Sequence, residues 1–79
     1  MRWANINNRE TGLRIYKYMV LYHYTAKTLC IALEYAVTVQ AIYNWMSGRS
    51  LPDLNNLAQL GILFHCKIDD ILVFDYKES

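Results

Sequence analysis

Seventy-nine residues make one domain (1–79), near the lower end of what a single hydrophobic core stabilises unaided. A hydrophobic content of 54% excludes a chain disordered as a whole and leaves more apolar surface than one small core hides. The net charge of +1 neither selects nor excludes nucleic acid, but its distribution is uneven. Residues 1–49 carry six basic and two acidic side chains (+4), and residues 50–79 carry two and five (−3). Cys30 and Cys66 are too few for a disulfide framework. Arg2–Glu10 is too polar to open a secretory signal, and the most apolar run, Leu29–Val39, is interrupted by Glu34 and too short to span a bilayer. The expected location is the cytoplasm, with no membrane partner.

Met1–Asn8 reads as a loose polar lead-in in which Trp3 and Ile6 pack. From about Arg9 to His23 the pattern is helical, with Ile15, Tyr18, Met19 and Tyr22 on one stripe and Leu13, Tyr16 and Val20 on a second beside it. Thr25 suits the N-cap of a second helix running to about Tyr35, with Leu29, Cys30 and Leu33 inward. Glu34–Val37 is then a turn, although no Gly marks it. A third helix follows from Thr38 to Gly48, then a loop through Arg49–Pro52. Asp53 caps a fourth helix to about Phe64, with Leu54, Leu57, Leu60, Gly61 and Phe64 inward. A short fifth helix covers Ile68–Val73, and Phe74–Ser79 is a tail with strand character in Val73–Tyr76. The expected fold is an all-α five-helix bundle.

The third helix is unusual. On a repeat of about 3.6 residues, Thr38, Val39, Ile42, Trp45 and Met46 gather on one side, and Gln40, Tyr43, Asn44 and Ser47 form the opposite stripe. Exposed helix faces ordinarily carry Lys and Glu. This one has only amides, a phenol and a hydroxyl, groups that can hydrogen-bond base edges in a major groove.

Other chemistries lack a pattern. His23, Cys30, His65 and Cys66 are the residue types of a zinc site, but their spacing fits no structural motif. No Gly-rich phosphate loop or nucleophile–base set is present, and Asp53, Asp69 and Asp70 read as caps and helix-dipole partners. No catalytic residue, metal, cofactor or small-molecule ligand is expected, and the protein is not expected to be an enzyme.

The run AIYNWMSGRSLPDLNNLAQL followed by IDDIL resembles the phage-repressor family of helix-turn-helix proteins, also called Cro/CI-like or XRE. The resemblance spans roughly Gly12–Leu72 and rests on Thr25, Leu29, Thr38, Ile42, Trp45, Gly48, Pro52, Leu57, Leu60, Ile68, Asp69, Ile71 and Leu72. It departs from the family in four respects. The Gly usual between helices two and three is missing near Glu34, and Leu29 to Ile42 is about two residues longer than the common pattern. Ala26 replaces a phosphate-binding Gln. Met19 and Met46 stand where the family often pairs an Arg with a Glu, a joint change that substitutes a dry contact for an ion pair.

The resemblance implies a lambda-repressor-like fold that reads double-stranded DNA with helix three, as a small transcriptional regulator. Gln40 and Asn44 then contact bases, Tyr43 a phosphate or a thymine methyl, and Val39 either a thymine methyl or the core. Lys27, Ser47, Arg49 and Ser50 suit phosphate contact, with Arg14 and Lys17 as further candidates. Helix two's N-terminus adds backbone donors. Related repressors pair as homodimers on palindromic operators, and Ile62, Leu63, Val73, Phe74 and Tyr76 are the apolar residues left for such an interface; the stripe Leu13, Tyr16, Val20 competes with them. The alternative reading is a protein-interaction module, antitoxin-like or a phage or mobile-element partner, that keeps this fold without binding DNA. The low net charge, Ala26, Val39 and the surplus apolar surface support it.

Overall fold

The computed structural model describes residues 2–78. Its elements are β1 (Arg2–Ile6), α1 (Asn8–Leu21), α2 (Ala26–Ala32), α3 (Val39–Ser47), α4 (Leu54–Leu63), α5 (Ile68–Ile71) and β2 (Phe74–Glu78). The protein is mostly helical, with the five expected helices, but it is not all-α: its two terminal segments form an antiparallel strand pair. Among the described residues, no helix is long and apolar enough to cross a membrane.

Each helix starts where a side chain can accept from its unpaired first-turn N–H groups or from the residue before them. Asn7 Oδ1 accepts from the Glu10 N–H, Thr38 Oγ1 from Ala41, and Asp53 Oδ1 from Asn56. Thr25 and Thr28 form a reciprocal capping box, and Asp70 reaches back to the Lys67 N–H to open α5. Asp69 makes no such cap contact among the hydrogen bonds found; Asp53 and Asp70 do.

The helix ends share a second device. In α1, α2, α3 and α4 the residue at or just after the C-cap is left-handed, and N–H groups beyond the helix fold back onto its last turn. The bonds are Tyr24 N–H to the Met19 carbonyl, Tyr35 to Cys30, Arg49 to Asn44 and Cys66 to Gly61. The left-handed positions are His23, Glu34, Gly48 and His65, so only one of them is glycine. Tyr35, next to Glu34, is left-handed as well (φ 59°). The turn between α2 and α3 thus closes without a Gly, by using two side-chain-bearing residues in a conformation that costs each of them energy. This shortens two expected helices: α1 stops at Leu21 and α2 at Ala32. At α5 the backbone becomes extended at Leu72 (ψ 134°), so that helix also ends early.

The core joins Ile15, Met19, Leu29, Cys30, Leu33, Ile42, Trp45, Leu57, Leu60, Phe64 and Ile71, all buried, with Met46, Val39 and Leu63 packed at its margin. Met19 is buried in this core and Met46 packs against it. Leu54, expected inward, is 76% exposed, because it is the first residue of α4 and lies beyond the part of the helix that meets the bundle. Tyr18 stacks on Phe64 with ring centroids 5.4 Å apart, and Tyr24 packs on the same ring.

The N-terminal lead-in is not loose, and strand structure runs through the tail as far as Glu78. Residues 2–6 pair with 74–78 in the register Trp3↔Lys77, Ala4↔Tyr76, Asn5↔Asp75 and Ile6↔Phe74; Met1 and Ser79 lie outside the described residues. The pairing is pinned to α1: the Asn7 N–H bonds the Val73 carbonyl (2.8 Å), and the fully buried Thr11 Oγ1 accepts from the Val73 N–H (3.0 Å). Asn7 Nδ2 also donates to Asp75 (3.0 Å).

Trp45→Ala is expected to cost ~3–5 kcal/mol, the range for large aromatic truncations in cores, and to unfold much of a domain this small at room temperature. Urea titration followed by circular dichroism measures it. Glu34→Gly is expected to do the opposite: it relieves a left-handed side chain and removes an acid from a helix C-terminus, a gain of ~1 kcal/mol and roughly 4–8 °C in Tm. An unchanged or lowered Tm would show that the turn is not strained at this residue.

Candidate nucleic-acid interface

α3 is held by its apolar side. Ile42 and Trp45 are buried, and the helix lies against α1 and α2. The contact with α1 is close enough to require Gly12: a Cβ there would come 2.3 Å from the Trp45 carbonyl oxygen and 2.7 Å from that of Met46. At the end of the helix Gly48 (φ +80°) rests on the backbone of Asn8 and Arg9. With that side fixed, the opposite side faces outward.

Gln40, Tyr43 and Ser47 are exposed and Asn44 is half-buried, so the uncharged stripe expected from the sequence is a real surface. Its two amides bond each other, Gln40 Nε2 donating to Asn44 Oδ1 at 3.1 Å. That leaves Gln40 Oε1 and the Asn44 amide N–H groups directed to other partners, an acceptor and a donor held in fixed relation by a one-turn link. Ser47 Oγ donates to the Asn44 carbonyl (3.1 Å), which also accepts the N–H groups of Arg49 and Ser50 (2.9 and 3.3 Å). One carbonyl thus locks the residues after α3 onto its last turn, and Arg49 and Ser50 are exposed beside the stripe. Lys27 is exposed on the first turn of α2. Val39 is half-buried against the core, which favours the packing role over a base contact.

The helix-two N-terminus is partly occupied. Its Thr28 N–H is bonded by Thr25 Oγ1, so fewer backbone donors remain for a phosphate than a bare helix end offers. Arg14 donates to the Asp70 carbonyl (3.2 Å) and, with Lys17, borders a cleft between α1 and α5 rather than the α3 stripe.

Three of the residues weighed for metal have other contacts in the fold. Cys30 donates to the Val37 carbonyl (3.1 Å), tying α2 to the turn before α3. Cys66 takes a hydrogen bond from Tyr18; burial pushes both the thiol and the phenol up, the bond opposing that rise at the thiol and adding to it at the phenol. His65 packs on Tyr22 with centroids 5.1 Å apart. Among the described residues, no three His, Cys, Asp or Glu side chains converge.

Of the residues expected at a dimer interface, Ile62 is 68% exposed on α4 and Tyr76 61% on β2, whereas Leu63 and Val73 are half-buried in their own domain and Phe74 packs beside Tyr76. Asp75 and Lys77 were not singled out from the sequence, although FDYKE alternates aromatic and charged residues as a strand does. No protein-family model, curated protein or solved structure matches this chain.

Proposed function

We propose that this protein binds duplex DNA in a sequence-dependent manner through α3 and acts as a small transcriptional regulator with a lambda-repressor-like helix-turn-helix. The observation that carries the reading is the outward face of α3: a rigidly seated helix presents Gln40, Tyr43, Asn44 and Ser47, without a single charge, and the cations Lys27 and Arg49 are exposed on the elements before and after it. Uncharged hydrogen-bonding groups suit base edges and flanking cations suit phosphates. The similarity of Gln40–Leu72 to phage repressors supports the same reading. Two copies on a palindromic operator would set their α3 helices about 34 Å apart, one turn of DNA.

A second reading, a protein-interaction module of the same fold (antitoxin-like or a phage or mobile-element partner), draws on a separate observation. Leu13, Tyr16 and Val20 form an exposed apolar stripe along α1, 43–55% accessible, and clustered exposed apolar residues mark protein contacts.

Selection of bound sites from random duplexes separates the two: an enriched palindrome supports DNA reading, and no enrichment at low salt supports the module. In binding assays, Gln40→Ala and Asn44→Ala are expected to cost ~1–3 kcal/mol on the selected site and to relax preference at one position per half-site. Arg49→Ala is expected to weaken all duplexes nearly alike and to lower the salt dependence by about one phosphate per subunit. Unchanged preference in both amide variants would remove α3 as the reader.

A further inference from the structure

Arg14, Lys17, Tyr18 and Leu21 follow one another at i, i+3, i+4 and i+7 on α1, so they form one continuous strip along that helix. Asp69 and Asp70 stand in the first turn of α5. Together the six line a cleft of about 380 Å³, within the range of small-ligand sites. Its cations come from α1 and its carboxylates from α5. Opposite charges gathered at one cleft can neutralise each other by pairing, and these do not. Arg14 donates to the Asp70 backbone carbonyl (3.2 Å) rather than to a carboxylate, and the Asp70 carboxylate accepts from the Lys67 N–H (2.9 Å). Among the described residues, the side chains of Lys17 and Asp69 have neither a hydrogen bond nor an ion pair.

We propose that this cleft binds a free amino acid with an apolar side chain: its carboxylate against Arg14 and Lys17, its ammonium against Asp69, its side chain over Tyr18 and Leu21. A simple anion would leave Asp69 unmatched, and a simple cation would meet Arg14 and Lys17, so the walls select a molecule carrying both charges. The polar wall is set in advance. The bond to the Asp70 carbonyl spends one of Arg14's five N–H donors and holds the planar group at the cleft, leaving donors in the fork arrangement that carboxylates accept. A side chain already ordered loses less freedom on binding. The apolar part is set as well. Tyr18 is stacked on Phe64 (5.4 Å) and its hydroxyl donates to Cys66, so it offers a ligand its ring rather than a competing polar group. Leu21 is 62% exposed, and an apolar ligand would cover surface that its own domain leaves open. None of these residues belongs to the α3 stripe. The proposal therefore goes beyond the DNA-binding reading and does not rest on it.

The test is done without DNA, by titrating the full chain and following its backbone amides by NMR. The probes are L-phenylalanine and L-leucine, with 3-phenylpropionate and 2-phenylethylamine as analogues that keep the ring and only one of the two charges. Both amino acids are expected to shift the amides of Arg14, Lys17, Leu21, Asp69 and Asp70 and to saturate with a Kd of about 1 mM or tighter. Each single-charge analogue is expected to bind about tenfold more weakly than phenylalanine. Lys17→Glu and Asp69→Lys alter exposed side chains without a partner, and each is expected to weaken phenylalanine binding about tenfold or more. Circular dichroism checks that both variants keep the wild-type fold; the analogue series needs no variant and decides the matter if they do not. No saturable shift at about 10 mM amino acid, shifts centred on another surface, or an analogue that binds as tightly as phenylalanine would each overturn the proposal. So would unchanged binding in both folded variants.

Discussion

The close seating of α3 on α1 is the constraint on which the rest of the molecule depends. Two helices approach this closely only where a side chain is missing, and the chain omits one on each partner. Gly12 admits the Trp45 and Met46 carbonyls, and Gly48 admits the backbone of Arg9. The usual separation of packed helices is about 8–10 Å, set by the side chains between them. Without a Cβ at Gly12, α3 settles against the α1 backbone itself, and Trp45 fills the adjoining core at 4% exposure. The orientation of the uncharged stripe follows directly: a helix fixed by Ile42 and Trp45 has no freedom left to turn Gln40 or Tyr43 inward.

The helix ends show how a short domain obtains sharp turns from ordinary residues. Four helices stop with the same kind of backward hydrogen bond, yet only Gly48 has the residue type that adopts the left-handed conformation without penalty. His23, Glu34 and His65 hold that conformation because the bonds and the core on either side over-determine it. The turn after α2 carries the heaviest load, with Glu34 and Tyr35 consecutive in left-handed backbone. Cys30 steadies it from beneath through its bond to the Val37 carbonyl.

Much of the fold was legible in the sequence because its signals are local. Thr25, Thr38 and Asp53 cap three helices as their hydroxyls and carboxylate suggest, and the apolar spacing of Leu57, Leu60 and Phe64 predicted the buried side of α4. The stripe on α3 was legible for the same reason. What escaped was non-local. RWANI does not alternate apolar and polar residues as a strand does, and its partner lies at the far end of the chain. The anchoring of that pair by Thr11, a buried hydroxyl inside a helix, leaves no periodic trace. The left-handed turns were hidden too, since Glu34, His23 and His65 are not residue types that mark them. At the candidate site, the side-chain inventory was readable, but the mutual bond between Gln40 and Asn44 and the repeated use of the Asn44 carbonyl depend on rotamers and on the path of the chain after α3.

The Asn7–Thr11–Val73 junction also orders events in time. It joins groups 62 or more residues apart, and closing so long a loop carries an entropic cost that local helix contacts do not. The helical bundle, whose turns and caps are nearly all formed within a few residues, can assemble quickly by itself, as folds rich in short-range contacts do. The ribbon then zips from the junction outward, starting at Ile6–Phe74 and reaching Trp3–Lys77 last. In the native state the same path runs in reverse, so amide protons nearest the chain ends exchange first while those of α1 and α3 stay protected. The terminal ribbon is thus the part that opens most readily without disturbing the helices behind it.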